Sequence, residues 1–273
     1  MDMIKVLNYY LSDFWIENGD ARTSYMPLMS GGPSPILAII LLYITFVKIL
    51  GPKFMMDRKP LGLRPLMLFF NSFMLAVNAV GFVIGLLATD LGSRLWSCRK
   101  HSFTEGEEFK ETLLIYLGYL YMCARILDMS DTVFFVMRKK YNNVSCLHVF
   151  HHSMVPLIAF MGLKLHPYPN AGFLPMSNVF VHTLMYAYYA MSCMGPEMSK
   201  YIWWKKHLTQ LQLIQFAAVF AHAVYTYVTP DCQFPKLLSA AEMNISILFF
   251  LLFGKFYCDT YHINITGNKY KNV

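Results

Sequence analysis

The sequence predicts an all-α, polytopic membrane protein with seven transmembrane helices. Of its 273 residues, 56% are hydrophobic and only 14% are charged, whereas soluble domains carry about 25% charged residues. The mean hydropathy is +0.40, and seven apolar segments are long enough, or nearly so, to cross a bilayer as helices. These segments are continuous rather than alternating, which argues against a β-barrel. The composition also excludes a disordered chain, a disulfide scaffold and a nucleic-acid-binding protein, although the net charge is +7.

The predicted spans are joined by short loops, with no linker between them. They cover residues 35–50, 65–89, 112–137, 145–165, 171–193, 208–228 and 237–258. We therefore expect one domain over residues 1–273. Residues 1–33 would form a lumenal N-terminal segment and residues 259–273 a cytosolic tail.

The distribution of basic residues predicts the orientation, because cytosolic loops are enriched in Lys and Arg. Loops and chain ends on one side of the seven spans contain thirteen of these residues, and those on the other side contain eight, diluted by Asp and Glu. The richer side is predicted to be cytosolic, which places the N-terminus in the lumen and the C-terminus in the cytosol. Lys269 and Lys271 resemble a dilysine retrieval signal, which indicates the membrane of the endoplasmic reticulum.

Three of the nine histidines lie within one five-residue stretch inside the fourth predicted span. At about 100° per residue, His148, His151 and His152 cover an arc of about 100° on one helix face. Ionisable residues inside spans are costly and indicate a functional site. Imidazoles at this spacing also bind metal ions, as in the di-iron membrane desaturases and hydroxylases, which use several histidine boxes where this chain has one. A di-iron enzyme is therefore the alternative.

Three further polar groups occur within predicted spans. In the third span, Arg125 and Asp128 are three residues apart and can form an ion pair, whereas Asp131 has no such local partner. The other two groups follow helical stripes in the fifth and sixth spans: Asn178, His182, Tyr186 and Tyr189 in one, and Thr209, Gln212 and Gln215 in the other. Polar stripes also serve only to join helices, so these two alone do not identify a function.

Seven spans are also typical of receptors. A receptor has no need of three histidines on one helical turn, and the loops contain no obvious ligand-binding domain. The sixth span has no Trp-Leu-Pro, a landmark of that class. We therefore favour an enzyme and keep the receptor as the weaker alternative.

Taken together, these groups resemble the fatty acid elongase family, the enzymes that elongate very-long-chain fatty acids. Four blocks carry the resemblance, in the family's order and along nearly the whole chain. They are Leu50–Pro60 in the first cytosolic loop, Leu147–His152 as the histidine box, Asn178–Tyr189 as the Asn-x-x-x-x-x-x-Met-Tyr-x-Tyr-Tyr block, and Thr209–Phe216 as the Thr-x-x-Gln-x-x-Gln block. The Val-Phe within the box is most similar to the subgroup that acts on saturated and monounsaturated long chains.

The chain departs from the family pattern near the predicted cytosolic entrance. Where the family usually has Lys-x-x-Glu-x-x-Asp-Thr, this chain has Arg125, Asp128, Asp131 and Thr132, which keep the signs of the charges. Asn143 and Cys146 stand where the family usually has Gln and Phe. Arg is a broader donor than Lys and Asp is shorter than Glu, so these changes affect the geometry of the entrance.

The resemblance implies a decarboxylative Claisen condensation. A long-chain acyl-CoA and malonyl-CoA would give 3-oxoacyl-CoA, CoA and CO₂, with the acyl chain held in a tunnel enclosed by the helices. It implies no bound cofactor and no metal, so acyl-CoA and malonyl-CoA enter as substrates. The expected partners are the bilayer, the reductases and dehydratase of the elongation cycle, and a second copy of the chain.

The resemblance also implies roles for individual residues. His151, the first His of the final pair, is the implied acyl acceptor, because a neutral imidazole can carry and pass on an acyl group. His148, His152 and His182 would orient it or stabilise the oxyanion. Supporting polar residues would be Asp128, Asp131, Asn178, Tyr186, Tyr189, Gln212 and Gln215. The residues expected to bind CoA at cytosolic ends of spans are Arg125, Arg138, Lys139, Lys205 and Lys206.

The predicted orientation also indicates a disulfide between Cys98 and Cys232. Four of the six cysteines lie inside or at the ends of spans, where thiols pack as small apolar groups. Cys98 and Cys232 are the two in predicted lumenal loops, after the second and sixth spans. Because the lumen of the endoplasmic reticulum permits disulfides, we expect them to be bonded.

Overall fold

The computed structural model describes residues 3–98 and 106–261. These residues are mostly helical and contain no strand. Lys269 and Lys271, which indicated retrieval to the endoplasmic reticulum, lie outside the described residues.

Seven long helices in the described residues follow the seven predicted spans. They are α1 (Ser34–Met55), α2 (Arg64–Ala88), α3 (Glu108–Met137), α4 (Cys146–Leu165), α5 (Phe173–Met194), α6 (Lys205–Val228) and α7 (Lys236–Tyr261). α1 includes a π-helical turn at Phe46–Leu50 and continues five residues past the predicted end of the first span. α3 is interrupted at Asp128, between the helical segments Glu108–Leu127 and Met129–Met137.

Six of these helices, all except α5, are long and apolar enough to cross a membrane. At 22 residues, α5 has sufficient length for a span. Its composition is less apolar because it contains Asn178, His182 and three tyrosines. Four of these five residues, all except Tyr188, form the polar stripe that the sequence singled out.

α5 lies antiparallel to α2 along most of its length. At one end Met176 packs so closely on Gly85 that an added Cβ on this glycine would lie 2.4 Å from the Met176 Sδ. At the other end Arg64 Nε donates to the Cys193 carbonyl at 2.6 Å. α5 therefore extends from one end to the other of a helix that is itself a candidate span.

The segment before α1 is packed against the end of α4 through a buried lysine. Lys164 is 1% exposed, and its Nζ donates to Ser24 Oγ and to the Met29 carbonyl, both at 2.9 Å. The Asp20 N–H donates to the Lys164 carbonyl at 2.7 Å. The predicted N-terminal extension is thus anchored to the helices, since a buried ammonium requires such partners.

The loops at this same end are tied together. Cys98 and Cys232, the pair singled out by the sequence, are bonded through their sulfurs with their Cα atoms 4.5 Å apart. Lys110 and Arg94 form ion pairs with Asp90 and hold the pKa of this carboxyl below its usual value. At this end of the bundle, the loops are therefore joined by a disulfide and by ion pairs.

Peptide mapping without reduction is expected to recover Cys98 and Cys232 in one cross-linked pair. Reduction should then lower the free energy of unfolding by roughly 4–5 kcal/mol, less any strain, because the bond closes a loop between residues 134 apart. Cys146 and Cys258 are exposed free thiols and serve as internal controls that react with an alkylating agent in either case. Alkylation of Cys98 and Cys232 without prior reduction would contradict the bond.

Candidate functional site

A buried arginine lies at the centre of a polar cluster between α2, α3 and α5. Arg125 on α3 is 1% exposed. Its Nη1 lies 3.0 Å from Asp128 Oδ2 and donates to Asn178 Oδ1 at 2.9 Å, while its Nη2 donates to Asn78 Oδ1 at 2.7 Å. The guanidinium carbon also lies 5.1 Å from the ring centroid of Tyr121. A buried cation needs such partners, and three different helices provide them.

A tyrosine joins the two carboxyl groups of α3. The Tyr186 hydroxyl on α5 lies 2.7 Å from Asp128 Oδ1 and 2.9 Å from Asp131 Oδ2. Because a phenol carries a single proton, it cannot donate fully to both groups at once. Asp131, which had no local partner in the sequence, thus shares a hydroxyl proton with Asp128 across the helix interface.

His182 of α5 is held by the same arginine. Arg125 Nη1 donates to His182 Nδ1. Since a guanidinium has donors only, the neutral ring accepts at Nδ1 and carries its proton on Nε2. Asp128 Oδ2 lies 3.4 Å from the same Nδ1, which is long for a hydrogen bond. The arrangement leaves the His182 Nε2–H as a donor at the edge of the cluster.

The three histidines of α4 have different surroundings. His148 and His152 lie one turn apart, with 4.2 Å between their ring centroids. His151 instead faces α7, where its ring centroid lies 5.1 Å from that of Phe249 and 5.7 Å from that of Phe253. On the histidine face, His148 and His152 therefore contact each other, whereas His151 contacts the aromatic side chains of α7.

A chain of hydroxyl groups connects the histidine face to α3 and α1. Thr132 Oγ1 lies 2.9 Å from His148 Nε2 and 2.8 Å from the Tyr43 hydroxyl, and Tyr43 and Thr132 are both buried. When Tyr43 donates to Thr132, both hydroxyl protons are paired and the Thr132 proton points to His148. The neutral His148 then accepts at Nε2 and carries its proton on Nδ1.

Local sequence explains why the histidine box lies in the first turns of α4. Ser145 is the N-cap, and its Oγ accepts from the His148 backbone N–H at 3.1 Å, a bond that fixes helix starts. Pro156 lies inside the helix and lacks the N–H that would bond the His152 carbonyl. The histidine box thus lies between the N-cap at Ser145 and Pro156, where one helical hydrogen bond is missing.

A cavity of about 470 Å³ lies between α2, α3, α4, α5 and α7. Its lining includes Asn78 and Tyr121 of the arginine cluster at one end and Thr89, His166 and Phe234 at the other. Most of the remaining lining is apolar. The volume falls within the range of about 300–1,000 Å³ that small-molecule sites occupy. The cavity therefore has a volume and a lining that suit an apolar ligand, and one end of it lies near the polar cluster.

The basic residues expected to bind CoA are not all in one place. Arg138, Lys139, Lys205 and Lys206 lie at the end of α3 and the start of α6, remote from the disulfide. Arg125 lies thirteen residues before Arg138, about 20 Å along the helix. The expectation that it lies at the entrance was wrong, because the guanidinium is buried and its Nη atoms bond to Asn78 and Asn178 in the interior.

The stripe on α6 is not joined to the arginine cluster by any hydrogen bond within the described residues. Thr209 and Gln215 are buried, and Gln212 is half-buried. Tyr189 of α5 lies edge-on to Tyr186, with 6.0 Å between ring centroids.

In the described part of the chain, no group of three His, Cys, Asp or Glu side chains is arranged as metal ligands would be.

The sequence interpretation missed three residues of the site: Tyr43, Asn78 and Tyr121. Asn78 is a polar residue within the apolar second span. Burying a polar side chain in a span is unfavourable, and this was a signal that could have identified Asn78. Tyr121 is four residues before Arg125, a spacing that places both side chains on one helix face. For Tyr43 the sequence offers no comparable signal.

Fold and site together define a class of protein: a polytopic helical membrane protein with a histidine face, a buried arginine cluster and an apolar cavity. The chain matches the ELO family, described as the GNS1/SUR4 family, over residues 28–269, and it belongs to this family. It is 37% identical over 249 residues to very long chain fatty acid elongase 1 of Mus musculus, which is 90% of this chain and 88% of that protein. It is 36% identical over 262 residues to a very long chain fatty acid elongase of Aedes aegypti, which is 96% of this chain and 71% of that protein.

Replacing Arg125 with Met is expected to lower the free energy of unfolding by about 3–5 kcal/mol, because the buried Asp128 loses its cation. Thermal unfolding of the purified protein in detergent measures this loss. Arg138→Met, a change of the same chemistry at the end of α3, should shift stability by no more than about 0.5 kcal/mol. Equal shifts for the two variants would contradict the central position of Arg125.

Proposed function

We propose that this chain catalyses the decarboxylative condensation of a long-chain acyl-CoA with malonyl-CoA, giving 3-oxoacyl-CoA, CoA and CO₂. The observation that carries the proposal is the histidine face of α4 beside a buried Arg–Asp cluster, next to an apolar cavity. Family membership and relatives named very long chain fatty acid elongases support the same reaction class.

In the first half-reaction, a neutral His151 attacks the thioester carbonyl of the acyl-CoA. The C–S bond breaks, the acyl group forms a bond to the ring nitrogen, and the imidazole proton passes to the departing thiolate, which leaves as CoA. An acyl-imidazole is reactive enough to transfer its acyl group again. The aromatic surroundings of His151, Phe249 and Phe253, favour the neutral ring that this step requires.

In the second half-reaction, malonyl-CoA loses CO₂ and its electron pair becomes the enolate of acetyl-CoA. The enolate carbon attacks the acyl carbonyl, and the bond to His151 breaks as the imidazole takes up a proton from the solvent, which replaces the one that left with CoA. Loss of CO₂ generates the nucleophile, so no strong base is needed. The enzyme has to hold the acyl group and stabilise two developing oxyanions.

The arginine cluster supports the stabilisation of the developing oxyanions. Arg125 fixes His182 with its Nε2–H free to donate, and a donor placed before reaction stabilises an oxyanion at little reorganisation cost. Through Thr132 and Tyr43, His148 is held in one tautomer. We assign these residues to positioning and charge stabilisation, and His151 to bond formation.

The proposal includes a location and an orientation. The acyl chain would occupy the cavity, and Arg138, Lys139, Lys205 and Lys206 would contact the CoA phosphates from the cytosol. This requires α5 to cross the membrane as a seventh span, which its antiparallel packing along α2 supports. The N-terminus would then be in the lumen of the endoplasmic reticulum and the C-terminus in the cytosol. The 3-oxo product needs reduction and dehydration, so the enzymes of those steps are the proposed partners.

His151→Ala is expected to reduce condensation by at least about a hundredfold, because the acyl acceptor is lost. The assay follows incorporation of labelled malonyl-CoA by microsomes that contain equal amounts of each variant. His207→Ala provides the control, since His207 is an exposed histidine on α6 and its removal should leave turnover unchanged. Undiminished turnover by His151→Ala would overturn the assignment of the nucleophile.

The same preparation separates the di-iron alternative. Exhaustive chelation should leave condensation unchanged, because no step of the proposed reaction uses a metal. Activity that is lost on chelation and restored by iron would favour an oxygenase-like enzyme instead.

Gly162→Leu is expected to reduce activity on the longest acyl chains before it affects shorter ones. Gly162 lines the cavity and has no atom within 4 Å of an added Cβ, so a leucine side chain can enter the space proposed for the chain. It lies eleven residues after His151, about 16 Å along α4.

The change in chain-length preference is measured with a panel of acyl-CoA substrates from about 16 to 26 carbons. This is roughly the range of long acyl chains that a cavity of this size would have to distinguish. Gly254→Leu is the matched control, because an added Cβ there also meets open space and Gly254 is outside the cavity lining. A uniform loss over all chain lengths would argue against the cavity as the acyl site.

A further inference from the structure

One ionisable side chain in the cavity wall takes no part in the mechanism above. α7 contributes Leu238, Ala241, Glu242 and Ile245 to the lining, which are spaced as one face of a helix. Three of these are apolar and the fourth is a carboxylic acid. An ionisable residue inside a span is costly and calls for a functional explanation.

The Glu242 carboxyl forms no hydrogen bond or ion pair within the described residues. The buried cations Arg125 and Lys164 have other partners: Arg125 pairs with Asp128, and Lys164 donates to Ser24 and to the Met29 carbonyl. Ser246 on the same helix donates to the backbone carbonyl of residue 242, not to its side chain. A carboxyl that lines an apolar cavity is therefore available to a ligand.

The depth of Glu242 in the cavity follows from its place on α7. Phe249 contacts the ring of His151, and Glu242 is seven residues before Phe249, about 10 Å along the helix. Side chains of a helix point towards its N-terminus, so the carboxyl reaches slightly deeper. C–C bonds of about 1.52 Å in a zigzag advance roughly 1.3 Å per carbon. A chain attached at His151 would pass Glu242 at about its eighth to twelfth carbon.

We propose that Glu242 is a specificity-determining residue that recognises a hydroxyl group near the middle of the acyl chain, so that mid-chain hydroxyacyl-CoA is a preferred substrate class. The proposal rests on the proposed function for the position of the acyl carbonyl at His151 and for the direction in which the chain enters. A plain hydrocarbon beside Glu242 displaces water and leaves the carboxyl without a partner, which is unfavourable. A hydroxyl at that depth can donate to the carboxyl in either of its protonation states.

The test uses binding, so that it does not depend on turnover. Thioether analogues of acyl-CoA, which cannot transfer their chain, are prepared with a plain octadecyl chain and with a single hydroxyl at carbon 10 or at the terminal carbon. Their Kd values are measured on the purified full-length protein in detergent. In the wild type, the carbon-10 hydroxyl should improve affinity about fivefold to tenfold over the plain chain, the contribution of one net hydrogen bond. The terminal hydroxyl should give no such gain.

Two variants assign this preference to the side chain. Glu242→Leu should abolish the gain while binding the plain chain at least as well as the wild type, and this second result also reports that the variant is folded. Glu242→Gln, which keeps an acceptor, should retain most of the gain. A carbon-10 preference that is absent in the wild type, or that persists in Glu242→Leu, would overturn the proposal.

Turnover is measured in parallel on plain stearoyl-CoA. Turnover without a hydroxyl preference in binding refutes the role of Glu242 and leaves the condensing activity in place. A hydroxyl preference without turnover supports the role of Glu242 and refutes the condensing activity. The two failures are therefore distinguishable.

Discussion

The burial of Arg125 is the constraint on which the rest of the interior depends. A guanidinium has five N–H donors in a fixed plane and cannot lose its charge in a protein. Removed from water on α3, it has to find acceptors on neighbouring helices, and it finds Asn78 on α2 and Asn178 on α5. These contacts fix the rotation of three helices relative to one another, because a turn of any one about its axis would break a hydrogen bond to the buried guanidinium. His182, one of the catalytic candidates, takes its position from this arrangement.

Two unusual features of the helices occur at residues of the same cluster. α5 has low hydropathy for a helix in this bundle because its inner face supplies acceptors and a hydroxyl to the cluster. α3 is interrupted at Asp128, the residue that pairs with Arg125. Close approach then depends on small residues, as at Gly118, where an added Cβ would lie 2.9 Å from a Leu163 methyl carbon. Small residues at helix contacts are typical of membrane proteins, where packing replaces the hydrophobic effect as the source of association.

Much of this arrangement could be predicted from the sequence, and the part that could not has a physical reason. Hydrophobic runs located all seven long helices, and helical spacing predicted the pairing of Arg125 with Asp128, because both signals are local in the chain. The partner of Asp131 and the contact between Tyr43 and Thr132 join residues 55 and 89 positions apart. Such contacts depend on which faces of two helices meet, and one sequence does not contain that information. The same limit misplaced Arg125 at the entrance: its charge was evident, but the acceptors that make burial tolerable lie on other helices.

The two ends of the bundle differ in how firmly they are held. At the end with Cys98 and Cys232, a disulfide joins the loops, and Lys236 donates to the Thr226 and Thr229 carbonyls at the end of α6. Cations at helix C-termini stabilise the last turn in this way. The opposite end presents basic side chains. Within the described residues, several of these bond only to a single backbone carbonyl, as Lys139 does with Met56. Local opening requires the least free energy where few buried contacts must break. In the proposed function, the acyl chain would therefore enter and leave at the basic end, while the cross-linked end sets the fixed depth against which chain length is read.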